Sequence, residues 1–260
     1  MSAIVTTAGR TNEKFIELAK QIAIELSLPY SKREKKSVEV MQEKFQSDVL
    51  VVSKERLELY PYGVKTPFFF HPNSSAFRLK RLLKGEQDLF LQATNLQKGD
   101  RFLDTTAGLC SDSIIAAHAI GETGIVDACE VNRLIAYIVA TGLKSYKTDF
   151  CELQSCMHNV NLYSQDALEV LKLAESNSYD VVYVDPMFEE IIEESSNFEA
   201  LRKVGEHNLL TEEWVEEAKR VAKKRVVLKA HFRSELFQKF GFKQFDRPAS
   251  KFHYGVIELS

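Results

Sequence analysis

Apolar residues three and four positions apart predict a helix over Asn12–Leu26, with Phe15, Leu18, Ala19, Ile22 and Leu26 on one face. A short apolar strand, Ala3–Thr7, precedes it, and Pro29 closes the element. A second helix is predicted over Val38–Phe45. Two alternating segments follow, Asp48–Ser53 and Leu57–Tyr62, joined by a charged turn as a hairpin. Thr66–His71 then leads through Pro-Asn-Ser-Ser, which reads as a cap, into one long helix from Ser75 to about Asn95.

After the polar turn Gln97-Lys98-Gly99-Asp100 the pattern becomes a regular alternation. Apolar strands are predicted at Arg101–Thr105, Gly124–Cys129, Asn159–Tyr163, Tyr179–Val184 and Arg225–Lys229. Helices are predicted at Ser111–Ala119, Asn132–Lys144, Ala167–Glu175 and Glu212–Lys223. Strand–helix alternation of this kind means a parallel sheet covered on both faces. Phe242–Asp246 and His253–Leu259 close the chain as an antiparallel hairpin at one edge.

Composition narrows the class. The chain has 260 residues, 34 basic and 37 acidic, for a net charge of −3, which excludes a wholesale polyanion binder. The charge is uneven: residues 1–100 carry 16 Lys/Arg against 12 Asp/Glu, and the remainder 18 against 25. No apolar run approaches the roughly 18 residues of a membrane span, and no basic-then-apolar leader is present. Four cysteines are too few for a disulfide framework, so reduced thiols and a cytoplasmic location are expected. Two domains are expected: residues 1–65 as an α/β extension, and residues 66–260.

In an open parallel sheet, ligands bind beyond the carboxyl ends of the strands. The first four such ends read Asp104-Thr105-Thr106-Ala107-Gly108, Glu130, Gln165-Asp166 and Asp185-Pro186-Met187-Phe188. Gly108 allows the backbone to turn closely around a ligand, and the absence of a following lysine disfavours a phosphate loop. Glu130 is placed to accept from ribose hydroxyls and Asp166 from an adenine amine. Singly, each reads more readily as a surface acid or a helix cap than as a ligand contact. As an ordered set they favour an adenosyl ligand with no pyrophosphate to anchor, which describes S-adenosylmethionine. At the fourth end, Asp185 and the turn stiffened by Pro186 can accept hydrogen bonds from an amino group while Phe188 stacks on a planar base. Such a clamp aligns a nitrogen lone pair for in-line transfer without a covalent nucleophile.

Asp104-Thr-Thr-Ala-Gly-Leu-Cys-Ser-Asp112, Glu130 and Asp185-Pro-Met-Phe188 resemble class I S-adenosylmethionine-dependent methyltransferases, most of all the RsmJ family, which methylates the exocyclic N2 of a guanine in small-subunit ribosomal RNA. The likeness covers about residues 68–190. It implies a Rossmann-like, seven-stranded methyltransferase sheet, mostly parallel. It also implies that Ser111, Asp112, Glu130, Val131, Gln165, Asp166 and Asp185 line the cofactor beside Asp104, Ala107 and Gly108. This chain departs from the family in two places. Cys110-Ser111 replaces a Gly-Arg pair, and Glu189-Glu190 follows Phe188 where the family has proline and basic residues.

Basic clusters offer phosphate contacts to RNA: Lys32-Arg33-Glu34-Lys35-Lys36, and Lys80, Arg81 and Lys84 in the run that starts at Arg78. Cys151, Cys156 and His158 gather three soft ligands without a fourth, and no metal site is expected. The reading is an S-adenosylmethionine-dependent RNA base N-methyltransferase. A small-molecule methyltransferase and a non-catalytic adenosyl-binding protein are the alternatives.

Overall fold

The computed structural model describes residues 2–186, 210–245 and 250–259. These fall into two compact units that divide between Phe70 and His71.

The first unit is built from β1 (Ala3–Thr7), α1 (Glu13–Glu25), α2 (Val38–Phe45), β2 (Asp48–Val52) and β3 (Leu57–Tyr60). Asn12 caps α1 by accepting from the Phe15 N–H, and Ser37 caps α2 by accepting from Val40. β2 pairs with β3 as the expected antiparallel hairpin, and β1 joins β2 in parallel. α1 packs on β1 through its buried Ala19, Ile22 and Ala23. Met41 of α2 meets Ile4, Val49 and Val51 in a small core.

The second unit opens with α3 (Asn73–Leu82) and α4 (Leu89–Thr94), where the sequence predicts one helix. Gly85, left-handed at φ +82°, ends the first, and the Asp88 carboxylate, accepting from Phe90 and Leu91, starts the second. The expected serine cap is also displaced: Pro72 holds the cap position without a side-chain bond, and Ser75 Oγ donates to the Ser111 carbonyl.

Next come β4 (Arg101–Asp104), α5 (Ser111–Ile120), β5 (Ile125–Cys129), α6 (Arg133–Ser145), α7 (Cys151–His158), β6 (Val160–Tyr163), α8 (Ala167–Leu173) and β7 (Tyr179–Val184). α9 (Glu212–Val221), β8 (Ala222–His231), α10 (Leu236–Lys239), β9 (Lys243–Phe245) and β10 (Phe252–Glu258) complete it. Seven strands form one sheet in the order β6-β5-β4-β7-β8-β10-β9. The five from β6 to β8 are parallel, and β10 runs antiparallel to both neighbours. The Rossmann-like sheet with an antiparallel edge is therefore present as predicted, and the polar turn at 97–100 lies inside this unit. α7 falls where the sequence suggested no element.

Alternation along the strands divides the sheet. Leu103, Val182, Val184, Val226 and Leu228 face a core that holds Leu171 of α8 and Trp214, Val215 and Ala218 of α9. On the opposite face, Phe90 of α4 stacks edge-on against Phe102 and Tyr183. That second face carries the polar residues described next.

Candidate active site

β4 is where the strand order reverses: the chain passes outward through β5 and β6, then returns on the other side with β7. Because β4 to β7 are parallel, their carboxyl ends share one edge, the usual ligand position in such sheets. The loop after β4 is tied to both neighbours. Thr105 donates its N–H and its hydroxyl to the Tyr183 carbonyl, and the Ala107 N–H reaches Cys129 O at 2.9 Å. Thr106 Oγ1 accepts from the Asp185 N–H at 2.7 Å. Gly108 (φ +48°) and Cys110 (φ +56°) both turn through the left-handed region before α5. That accounts for the glycine the resembled family keeps at the second position, and here a fully buried cysteine bears the cost of the turn.

Asp104 is 2% exposed. Its carboxylate accepts from Ser113 Oγ and the Thr106 N–H, and no cationic side chain among the described residues bonds it. Burial pushes its pKa up to about 7, with the Asp112 and Asp185 charges adding to the rise against those two hydrogen bonds. A buried acid without a countercharge suits a cationic ligand.

Beside it runs a string of alternating charges. Arg78 of α3 bonds both Asp88 oxygens, at 2.8 and 2.9 Å, and reaches Asp112 Oδ1 at 2.6 Å. Asp112, in the first turn of α5, also accepts from the Tyr183 hydroxyl at 2.8 Å and from Lys229 Nζ at 3.4 Å. Lys229 of β8 reaches on to Asp185 Oδ2 at 2.5 Å. Burial resists ionisation of Asp112, but Lys229 and Arg78 outweigh it and hold that carboxyl below the usual range. Asp185 stays above its ordinary value, because burial and the Asp112 charge outweigh the pull of Lys229. Lys229 is desolvated, yet the two carboxylates raise its pKa and keep it charged.

The remaining predicted residues lie along the same edge. Glu130 follows β5 and accepts from the Asn132 N–H at 2.8 Å; Asn132 in turn caps α6. Half-buried Val131 lies between them, and half-buried Ser111 opens α5. Asp166 caps α8 by accepting from Leu168 and Glu169, and Gln165 beside it is exposed. Pro186 is half-buried after Asp185; Phe188 and Glu189-Glu190 lie outside the described residues. Arg78 does not belong with the surface cations, since it turns inward, whereas Lys80, Arg81 and Lys84 are exposed. Lys229, Ser113 and Tyr183 were not singled out from the sequence. Lys229 left a signal as a charge directly after the apolar run Val226–Leu228 of its strand. All four cysteines are free, and no helix among the described residues is long and apolar enough to cross a membrane.

Comparison with known proteins agrees with the fold. A family model described as "Putative SAM-dependent methyltransferase" matches residues 33–241. The chain is 47% identical over 258 residues, 99% of its length and 100% of the relative's, to the uncharacterized protein YpiP of Bacillus subtilis. It is 29% identical over 192 residues to ribosomal RNA small subunit methyltransferase J of Dechloromonas aromatica, covering 70% of this chain and 76% of that one. Its fold is similar to that of the SAM-dependent methyltransferase NGO1261 from Neisseria gonorrhoeae, with a TM-score of 0.61 at 19% identity over 98% of this chain and 95% of that one. With a mostly parallel seven-stranded sheet and a family match spanning most of its length, the chain belongs to the S-adenosylmethionine-dependent methyltransferases and takes S-adenosylmethionine as its cofactor.

Proposed function

We propose that this chain methylates an exocyclic amine of a base in ribosomal RNA, with guanine as the base. The observation that carries the reading is Asp185-Pro186 at the switch-point edge. There Thr106 fixes the Asp185 backbone and Lys229 takes one carboxylate oxygen. The other oxygen and the neighbouring backbone accept from the target amine, which turns its lone pair toward the methyl group. When bound, the cofactor supplies that methyl on a sulfonium. Asp104 answers its positive charge; Ala107, Gly108, Ser111 and Asp112 surround the methionine end. Glu130 takes the ribose, while Val131, Gln165 and Asp166 border the adenine. The protein's share of the chemistry is alignment and exclusion of water. Phe188 stacks on the target base in this proposal.

The likeness to small-subunit ribosomal RNA methyltransferases supports RNA as the substrate. So does the outer face of α3 and the turn after it, where Lys80, Arg81 and Lys84 are exposed around Phe77, itself 63% exposed. Cations beside an exposed aromatic ring suit phosphates and an unpaired base. In the first unit Lys32 and Lys35 are exposed and offer further phosphate contacts, while Arg33 is spent on the Lys36 and Thr7 carbonyls.

The deciding experiment is nucleoside mass mapping of ribosomal RNA from cells with and without the gene, paired with transfer of labelled methyl to the unmodified RNA in vitro. One N-methylated base that disappears with the gene and is restored by the protein is the expected result. Cofactor binding by calorimetry without transfer to RNA would point instead to a small-molecule acceptor or a non-catalytic binder.

A further inference from the structure

α5 and α7 pack against one another away from the charge string, and three donor atoms meet where they do. These are His118 Nδ1 from the last turn of α5, Glu152 Oε1 from the first turn of α7, and Cys156 Sγ one turn further along α7. All three lie within 4.8 Å of one another. Nδ1 and Oε1 are 2.5 Å apart, and Sγ and Oε1 are 3.8 Å apart. We propose that His118, Glu152 and Cys156 form a zinc site that clips α7 to α5.

The donor chemistry selects the ion. One imidazole nitrogen, one carboxylate oxygen and one thiolate sulfur form a mixed, borderline-soft set suited to Zn²⁺; calcium and magnesium require oxygen ligands. The spacing fits as well. With metal–ligand bonds of about 2.0 Å to nitrogen and oxygen and about 2.3 Å to sulfur, tetrahedral ligands stand roughly 3.3–3.5 Å apart. The sulfur–oxygen separation is already close to this. The imidazole and carboxylate must part by somewhat less than 1 Å, and the Glu152 side chain, 40% exposed, has room to swing.

Charge closes the argument. Cys156 is buried beside the Glu152 carboxylate. On binding a divalent cation the thiol gives its proton to solvent. The carboxylate, thiolate and neutral imidazole then leave a centre of zero net charge, which a half-buried position tolerates. The fourth tetrahedral position goes to water. Spacing along the sequence did not reveal the set, because it pairs Cys156 with a histidine 38 residues earlier and omits Cys151 and His158.

The test uses tag-free, full-length protein stripped by a chelator and titrated with Co²⁺. The expected result is one equivalent of tetrahedral Co²⁺ with a thiolate-to-metal charge-transfer band, displaced by Zn²⁺, together with a rise in thermal midpoint on adding Zn²⁺. Cys151→Ser leaves the band intact, whereas Cys156→Ser abolishes it. His118→Gln and Glu152→Gln, at positions partly open to solvent, each weaken Co²⁺ binding at least tenfold by the ordinary value of a ligand. Absence of the band in the parent protein, or its survival in Cys156→Ser, overturns the proposal. So does unchanged Co²⁺ affinity in both glutamine variants.

Discussion

Lys229→Met removes one cation from the string Asp88–Arg78–Asp112–Lys229–Asp185 and leaves an apolar stem of similar length. Breaking a buried ion pair costs about 3–5 kcal/mol, because the surviving charge stays desolvated. Two structural details lower that figure. The Lys229 side chain is 24% exposed, so water partly screens the pair. Asp112 also keeps Arg78 and the Tyr183 hydroxyl, which leaves Asp185 as the orphan. We therefore expect a loss of about 2–4 kcal/mol at pH 8. The pH dependence follows from both partners. Lys229 has a raised folded pKa, so its contribution is complete below the unfolded lysine value of about 10.4 and is lost only as pH climbs through the higher folded value. The acid limit comes from Asp185, whose folded pKa lies above that of an ordinary carboxyl. Once it is protonated it has no charge to orphan, so the penalty of the substitution shrinks as pH falls through that range.

The assay is urea unfolding of parent and variant at pH 8 and pH 5, with the slopes compared to confirm the same transition. Adding Asp185→Asn to Lys229→Met removes the orphaned carboxylate and should return more than half of the lost stability. A loss under about 1 kcal/mol at pH 8 would refute the reasoning, since that is the value of an exposed pair. Equal losses at the two pH values, or simple additivity in the double variant, would refute it too.

Three further outcomes are expected. Asp104→Asn should stabilise the cofactor-free protein above pH 7 by about 4 kcal/mol, because a folded pKa of about 7 against 3.9 unfolded makes ionisation costly to the fold; the gain should vanish below pH 4, and calorimetry should show weakened cofactor binding. Replacing Lys80, Arg81 and Lys84 together by glutamine should leave cofactor affinity unchanged and reduce the slope of log K against log salt for RNA by about 2, read from filter binding across a salt series. Gly124→Ala places its Cβ 2.7 Å from the Asp100 carbonyl, a backbone atom that cannot turn aside, so a loss above about 1 kcal/mol in thermal unfolding is expected.

What the sequence disclosed and what it withheld follow from the range of the interactions. Apolar runs such as Val181–Val184 declare a strand by themselves, and a parallel strand delivers whatever follows it to one edge. Glu130 and Asp185 were therefore legible as edge acids without knowledge of any partner. The break between α3 and α4 was legible in kind as well, since Gly85 and the cap at Asp88 both lie in the text, yet the apolar spacing of Leu82, Leu83, Leu89 and Phe90 bridges them. α7 has no capping side chain, and its buried face is only Leu153, Cys156 and Met157, too short a stripe to announce a helix.

Arg78 shows the deeper limit. On the chain it stands with Lys80, Arg81 and Lys84 as one more surface cation. Two carboxylates turn it inward: Asp88, which takes two of its N–H groups, and Asp112, 34 residues further on and brought near by the packing of α3 on α5. The same packing separates three acids that the sequence presents alike. Asp112 and Asp185 share Lys229, with Arg78 as a second cation for Asp112, whereas Asp104 is buried on two hydrogen bonds and, among the described residues, no cation. Environments that push like groups apart assign them different work. The compensated pair is already balanced within the protein. The deficit sits at Asp104, where the proposed function places the positive charge of the ligand.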